Sequence, residues 1–299
     1  MKKQLLIAGG SGLIGTAISE AALREGWDVT LLSRTEGAGR IAWDPGQGHI
    51  DLDQNKSFDA IINLAGTSIA GGRWTDERKK DIVDSRVNAC RTLEKYLQEG
   101  VLSTRVYIGA SAIGIYGDRK QQPVDESTSI GPDGDWMIKT VQDWETGHSR
   151  VEALGIRTIV LRIGIVLSRK GGALPEMLRT APLGILGYFG NGRQVWPWIH
   201  VDDLVNIFLH AAEEGKMHGI YFAGSPSPVS NKEMTVAASK AYSPRRIVVP
   251  APVIFLAILL GEMRQMLLQS CNGRPTRLLQ EGFHFRYNTI EDAMHNLIN

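Results

Sequence analysis

The residues best suited to chemistry lie near the amino end. Gly9-Gly10-Ser11-Gly12-Leu13-Ile14-Gly15 carries three glycines in a G-x-x-G-x-x-G spacing, directly after the apolar run Leu5-Leu6-Ile7-Ala8. Glycines there permit a tight turn and close backbone approach, and unpaired N–H groups at a helix start attract a diphosphate. A glycine loop alone often only turns the chain; a strand before it and a helix after it make the signal specific.

The next candidate is Ser33-Arg34. A dinucleotide site that prefers NAD places a carboxylate roughly 20 residues beyond the loop, on the ribose 2′-hydroxyl. A guanidinium and a hydroxyl instead suit a 2′-phosphate, so the expected cofactor is NADP(H). The competing reading is a solvated arginine at a strand end. Asn63-Leu64-Ala65-Gly66 closes another apolar run in small residues, which suits backbone passing close to an adenosine ribose.

These groups need a scaffold. Apolar runs predict strands at 4–8, 28–32, 40–43, 58–64, 104–110 and 157–161, separated by helical patterns at 12–26, 74–97 and 135–154. Such alternation predicts an α/β fold with a Rossmann-type, doubly wound parallel sheet covered on both faces. Beyond about Ser168 glycines loosen the pattern, and 202–213 reads as a helix capped by Asp202 or Asp203. From 225 to 299 short helical stretches alternate with prolines. The expected division is a cofactor domain at 1–167, with later returns to the sheet allowed, and a mostly helical substrate lobe at 168–299 over the sheet's carboxyl end.

Composition removes several function classes. With 33 basic and 32 acidic side chains the net charge is +1, which is no footprint for nucleic acid. Cys90 and Cys271 form neither a disulfide framework nor a metal-ligand spacing, and they suit a cytoplasmic setting. Lys2-Lys3 before Leu5-Leu6-Ile7-Ala8 imitates a signal peptide, but the apolar run is too short. The run at 251–260 falls short of the roughly 20 residues that span a bilayer and is expected to be a buried helix.

Together the glycine loop, Asn63-Leu64-Ala65-Gly66, the segment from Ser111 to Tyr116-Gly117-Asp118 and Trp198-Ile199-His200-Val201-Asp202-Asp203-Leu204 resemble the extended and atypical short-chain dehydrogenase/reductases. Ser33-Arg34, Arg40-Ile41-Ala42-Trp43-Asp44, Ser85-Arg86 and Phe283-His284-Phe285-Arg286-Tyr287 resemble its epimerase-family branch, which holds SDR family 39U and bacterial sugar-nucleotide epimerase-like proteins. The resemblance covers essentially the whole chain. It implies NADP(H) contacts at Ser33, Arg34, Leu64, Ala65, Asp81, Arg86 and Val166, to which Ala110 at a strand end is added. It also implies a small-molecule substrate such as a nucleotide sugar and a homodimer by fold-level analogy; from the charge balance and the short apolar runs, no nucleic-acid or membrane partner is expected.

The family's catalytic Tyr-x-x-x-Lys dyad is where the pattern fails. A lysine beside the tyrosine lowers a phenol pKa otherwise near 10. The expected helix, Asp135 to Glu145, contains no tyrosine. The literal match Tyr116-Gly117-Asp118-Arg119-Lys120 sits in turn chemistry, so its two side chains are not expected on one helical face. Ser111 and Tyr116 are the remaining candidate donors, with Ala112 an equal claimant to the serine position. Arg86 takes the upstream asparagine position, with Asn88 beside it. His200 reads as a core histidine ahead of a general base, and Arg193, Trp196 and Trp198 either line a substrate pocket or fill a domain junction. Two functions follow as expectations: an NADP(H)-dependent oxidoreductase or epimerase with a degenerate dyad, and a non-catalytic NADPH sensor.

Overall fold

The computed structural model describes residues 2–35, 37–243, 246–252 and 261–299. Leu5, Leu6, Ile7 and Ala8 are all fully buried, as an apolar run without alternation requires when both sheet faces are covered. They lie in β1 (Gln4–Ala8). The main sheet continues with β2 (Asp28–Ser33), β3 (Arg40–Asp44), β4 (His49–Ile50), β5 (Lys56–Asn63), β6 (Leu102–Ala112), β7 (Arg157–Ile163) and β8 (Gly219–Ala223). Their order is β8-β7-β6-β5-β1-β2-β3-β4, and every pairing is parallel except that of β3 with β4.

Alternate side chains serve opposite layers. Leu6, Ile61 and Tyr107 pack with Leu93 of α2 (Asp76–Gln98) and Val151 of α3 (Trp136–Glu152). Leu5, Ile7, Ile62 and Ile108 pack with Ile18 of α1 (Leu13–Arg24) and Ile207 of α4 (Val201–Glu213). This is the expected Rossmann-type, doubly wound α/β sheet. Because β1 pairs with both β2 and β5, the chain winds outward in two directions from it. That switch leaves a crevice at the strands' carboxyl ends, where ligands of open α/β sheets bind.

A second core lies beyond β7. The strand Ile165–Ser168 runs parallel to Trp198–His200, and Ile185–Phe189 runs parallel to Ile247–Ala251. Against them pack α5 (Asn231–Tyr242) and α6 (Ile290–Ile298), burying Leu167, Trp198, Met234 and Met294. β8, at 219–223, returns to the main sheet from within this part of the chain. The apolar run expected as a helix at 251–260 lies outside the described residues from 253 on, and Ala251 closes a strand. Among the described residues no helix is long and apolar enough to cross a membrane.

One expectation is corrected here. The cap of α4 is His200, whose Nδ1 accepts the Asp202 N–H at 3.0 Å, and not Asp202 or Asp203. The Asp203 carboxylate turns inward instead and accepts the N–H groups of Arg286 and Tyr287 at 2.8 and 3.0 Å. It ties the C-terminal segment to α4. His200 is 1% exposed, stacks on Tyr287 at 3.8 Å and donates through Nε2 to Asn296 Oδ1, so it serves structure.

Candidate functional site

The glycine loop leaves β1 and opens α1. Gly9 has φ +81°, and a Cβ there would lie 2.8 Å from the Leu64 carbonyl carbon. A Cβ on Gly15 would meet the Gly9 carbonyl oxygen at 2.4 Å. Packing therefore demands both glycines. Gly12 is different: its backbone is extended (φ −76°, ψ 172°), and a Cβ there would find only the Gly9 oxygen, at 3.4 Å. Among the described residues no contact requires glycine at that position, and because Gly12 is exposed the missing side chain leaves an outward-facing cradle. No side chain caps the start of α1 and no acidic residue stands in its first turn. Ser11 and Gly12 are exposed, and Leu13 and Ile14 half-buried. Such a helix start suits an anion.

Beside the loop, at the end of β2, Ser33 Oγ lies 3.1 Å from Thr35 Oγ1, which accepts from Arg40 Nη1 at 3.0 Å. Arg34 is exposed next to them. Sequence reasoning found Ser33 and Arg34 but not Arg40; only the pairing of β3 with β2 brings this second guanidinium there. On the other side of β1, the Leu64 N–H donates to Ala8 O, which sets Leu64 and Ala65 against Gly9. Gly66 is exposed.

Three further predicted residues are buried and bonded within the protein beside this crevice, Arg86 lying directly against Gly66. Asn63 is fully buried, donates to Tyr107 OH at 2.9 Å and accepts the Ala65 N–H at 3.1 Å. It shapes the 64–66 turn from behind. Ala110 is buried, and its carbonyl accepts His148 Nε2–H at 3.0 Å. Arg86 is 6% exposed, and its Nη1 clamps Thr67 O and Ile82 O. Its guanidinium lies 4.8 Å from the Trp144 ring centre, and its Nε has no acceptor among the described residues. Burial lowers its pKa to about 10, against the nearby charge of Asp81, which is itself exposed on α2. Val166 is half-buried across from the loop, in register with Ile199.

The Asn63 network gives a pH dependence. Tyr107 OH lies 3.0 Å from His148 Nδ1, whose ring is fully buried. Burial lowers the His148 pKa from 6.5 to about 4, so the folded protein keeps the ring neutral while the unfolded chain protonates it near 6.5. Its contribution is complete above pH 6.5 and is lost as pH falls toward 4. We expect a loss on the order of 3 kcal/mol across that window, measured by urea unfolding at stepped pH. His148→Asn should flatten this slope; an unchanged slope would assign it to other groups.

A cleft of about 290 Å³ opens where β6 and β7 end. Its walls come from distant segments: Trp74, Ala112 and Met137; Ile163 to Ile165; Val195 to Pro197; and Gln265, Met266, Leu267, Gln269 and Cys271. The side of α3 that meets it presents Met137, with buried Val141 one turn further on. No tyrosine, lysine, serine or histidine lines it among the described residues. Asp135 lines it but accepts the Met137 and Ile138 N–H groups as the cap of α3, and burial pushes the Cys271 thiol up to about 12.

The two predicted donors lie behind this wall. Register sets Ser111 on β6 opposite Arg162 on β7. Ser111 Oγ donates to Glu145 Oε1 at 2.5 Å, and Arg162 grips both Glu145 oxygens at 2.8 Å. Arg162 Nη1 donates to Tyr116 OH, which donates in turn to Asp125 O. Ser111, Arg162 and Tyr116 are 2%, 4% and 0% exposed. Burial raises the Tyr116 phenol to about 12 in spite of Arg162, opposite to what proton exchange near neutrality needs. Lys120, with φ +51°, is exposed, so the literal Tyr-x-x-x-Lys match is no helical dyad. Of the three residues considered for a substrate pocket, Trp196 lines the cleft, Trp198 fills the second core and Arg193 is exposed outside it. Glu145, Arg162 and Met137 were missed, since apart from helical spacing their roles depend on partners far along the chain.

Residues 5–224 match the model of the NAD dependent epimerase/dehydratase family, and 249–297 match the domain of unknown function DUF1731. The epimerase family protein YfhF of Bacillus subtilis is 33% identical, over 98% of this chain and 97% of its own. The crystal structure of human epimerase family protein SDR39U1 (isoform 2) with NADPH superimposes with a TM-score of 0.91 at 32% identity, covering 99% of each chain. A nucleoside-diphosphate sugar epimerase from Corynebacterium glutamicum superimposes with a TM-score of 0.80 at 27% identity, covering all of this chain and 58% of that one.

Proposed function

Because this chain belongs to the NAD dependent epimerase/dehydratase family, we propose that it binds NADP(H) over the carboxyl ends of β1 and β2 and acts as an oxidoreductase on a small molecule in the adjoining cleft. The carrying observation is the cradle at Gly12, a glycine that packing does not require beside an uncapped helix start. Diphosphate would rest on the backbone N–H groups of Gly10 to Ile14. Ser33 and Arg34 would hold the 2′-phosphate, with Arg40 adding a second positive charge through Thr35. The NADPH in the human relative's crystal structure supports the same reading.

When bound, the nicotinamide supplies hydride chemistry; the chain binds, orients and keeps water out. Leu64 and Ala65, held by Asn63, form one wall of the crevice, and Ala112, Met137 and Ile163 form the apolar wall further in. Ser111 and Tyr116 act as positioning residues through Glu145 and Arg162 and donate no proton. The second reading, an NADPH-binding sensor, draws on a cleft whose described lining offers no tyrosine, lysine or histidine, and whose one carboxylate, Asp135, is held as the cap of α3. NADPH consumption across a carbonyl panel separates the two.

Arg34→Ala tests the cofactor assignment. Losing the charge-assisted bonds to a 2′-phosphate should weaken NADPH by about tenfold to a hundredfold. NADH should change by no more than about twofold, both measured by calorimetry. Equal loss for the two coenzymes would refute the assignment.

A further inference from the structure

Reduction of a ketone needs two deliveries, a hydride to carbon and a proton to oxygen. The described lining of the cleft has no source for the second. It holds no tyrosine, lysine, serine or histidine, and burial raises the Cys271 thiol to about 12. Ser111 and Tyr116 lie behind the wall, bonded to Glu145, Arg162 and Asp125. A positioned acid contributes about a hundredfold or more to such a step.

The polarity that the wall does present is negative or neutral. Asp135 is its one charged side chain and is half-buried. Its Oδ1 caps α3, and its other oxygen has no partner among the described residues. Gln265 and Gln269 add two uncharged carboxamides, whose oxygens accept an N–H or face a cation. The cations near the wall are engaged elsewhere: Arg162 by Glu145, Lys79 by Glu262, and Arg119 by the carbonyls of Tyr116, Ser129 and Ile130. Met137, Ile165, Met266 and Leu267 complete an apolar, partly polarisable surface. A cation entering there loses hydration, and the Asp135 charge offsets part of that loss.

We infer that the cleft takes an iminium ion, an apolar compound whose C=N bond already carries a positive charge, and that Asp135 attracts it. The inference rests on the proposed NADP(H) cofactor and on this cleft as the substrate site. The carbon of the C=N bond takes the hydride of NADPH, the π pair moves onto nitrogen, and a neutral amine and NADP⁺ result. Atoms and charge balance without any proton from the protein. The missing dyad is then no defect, because the substrate brings the charge that a ketone has to be given. A carbonyl panel alone would score such an enzyme as a sensor, so iminium ions belong in it.

The first arm of the test measures binding to the full chain without cofactor. 2-Methylisoquinolinium and 2-methylnaphthalene have the same shape and differ in charge, and both are followed by their own fluorescence. Asp135→Asn removes the charge but keeps the helix cap, since asparagine caps as well as aspartate, so thermal melting should be nearly unchanged. It should weaken the cation about tenfold and the naphthalene by less than about twofold. Equal loss for both probes, no loss for either, or no saturable binding of the cation to the unaltered protein would overturn the inference. The second arm follows NADPH absorbance with 2-methyl-3,4-dihydroisoquinolinium and with 1-tetralone, each corrected for its rate in buffer. kcat/KM for the iminium should exceed that for the ketone by about a hundredfold or more. Comparable turnover of the two would show that a proton donor is present and would also overturn it. If Asp135→Asn does not fold, this ratio on the unaltered protein decides. NADPH binding, scored separately by its fluorescence, keeps the two readings apart: charge-selective binding without NADPH binding would sink the cofactor reading alone, and NADPH binding without charge selectivity would sink this one alone.

Discussion

Gly12→Asp should leave the protein as stable as before, or slightly more so, while NADPH binding falls by about a hundredfold or more. The two effects have opposite signs because they arise from different physics. In the folded chain Gly12 has ordinary extended angles, and a Cβ meets nothing nearer than the Gly9 oxygen at 3.4 Å. Aspartate is among the best residues at a helix N-cap, and its charge complements the positive helix end. That same carboxylate would occupy the cradle proposed for the diphosphate and repel it. Losing two charge-assisted hydrogen bonds of about 1.5–3 kcal/mol each accounts for the hundredfold or more. Thermal melting and calorimetry on one preparation read both effects. Gly15→Ala is the contrast: its Cβ would lie 2.4 Å from the Gly9 oxygen, so it should lower the melting temperature. If Gly12→Asp binds NADPH normally, the diphosphate does not rest on this loop.

The other large effect concerns folding. Arg162→Met should destabilise the protein by about 3–5 kcal/mol, because it leaves the Glu145 carboxylate, 14% exposed, without its partner. Burial disfavours the Arg162 charge, but the hydrogen bonds and charge of Glu145 more than offset this and hold the guanidinium above its usual range. The loss should also reach Tyr116, whose hydroxyl accepts from Arg162. Replacing both Glu145 and Arg162 with methionine should recover much of the loss, since two matched apolar groups bury no charge. Urea unfolding of both single variants and the double variant completes the cycle. Single-variant losses below about 1 kcal/mol would mean that solvent reaches the pair and screens it.

This network explains why two hydroxyls that look catalytic in the sequence need not be so. Ser111 and Tyr116 have the right residue types near the end of β6, and they flank the cleft wall. Yet Glu145 lies 34 residues after Ser111, and Arg162 lies 46 after Tyr116. Only the register of β6 on β7, with α3 packed across both, makes the four one unit. The face of α3 that a Tyr/Lys dyad would use instead presents Met137 to the cleft.

What the amino-acid order determined by itself is the local part. Apolar runs buried on both sides read as parallel strands, and the helical patterns between them read as the covering layers. The glycine spacing, the run Ser33-Arg34 and the small residues at 64–66 could be placed at strand ends because turns and strand ends depend on neighbours a few residues away. Tertiary structure alone decided the rest. His200 became the cap of α4 because Asp203 was claimed by the N–H groups of Arg286 and Tyr287, more than eighty residues on. Arg40 joined the β2 end through strand pairing, and Asn63 turned inward to Tyr107. The cleft was assembled from segments as far apart as Trp74 and Cys271. A side chain's partners across such separations are fixed by packing and register, which no local pattern encodes.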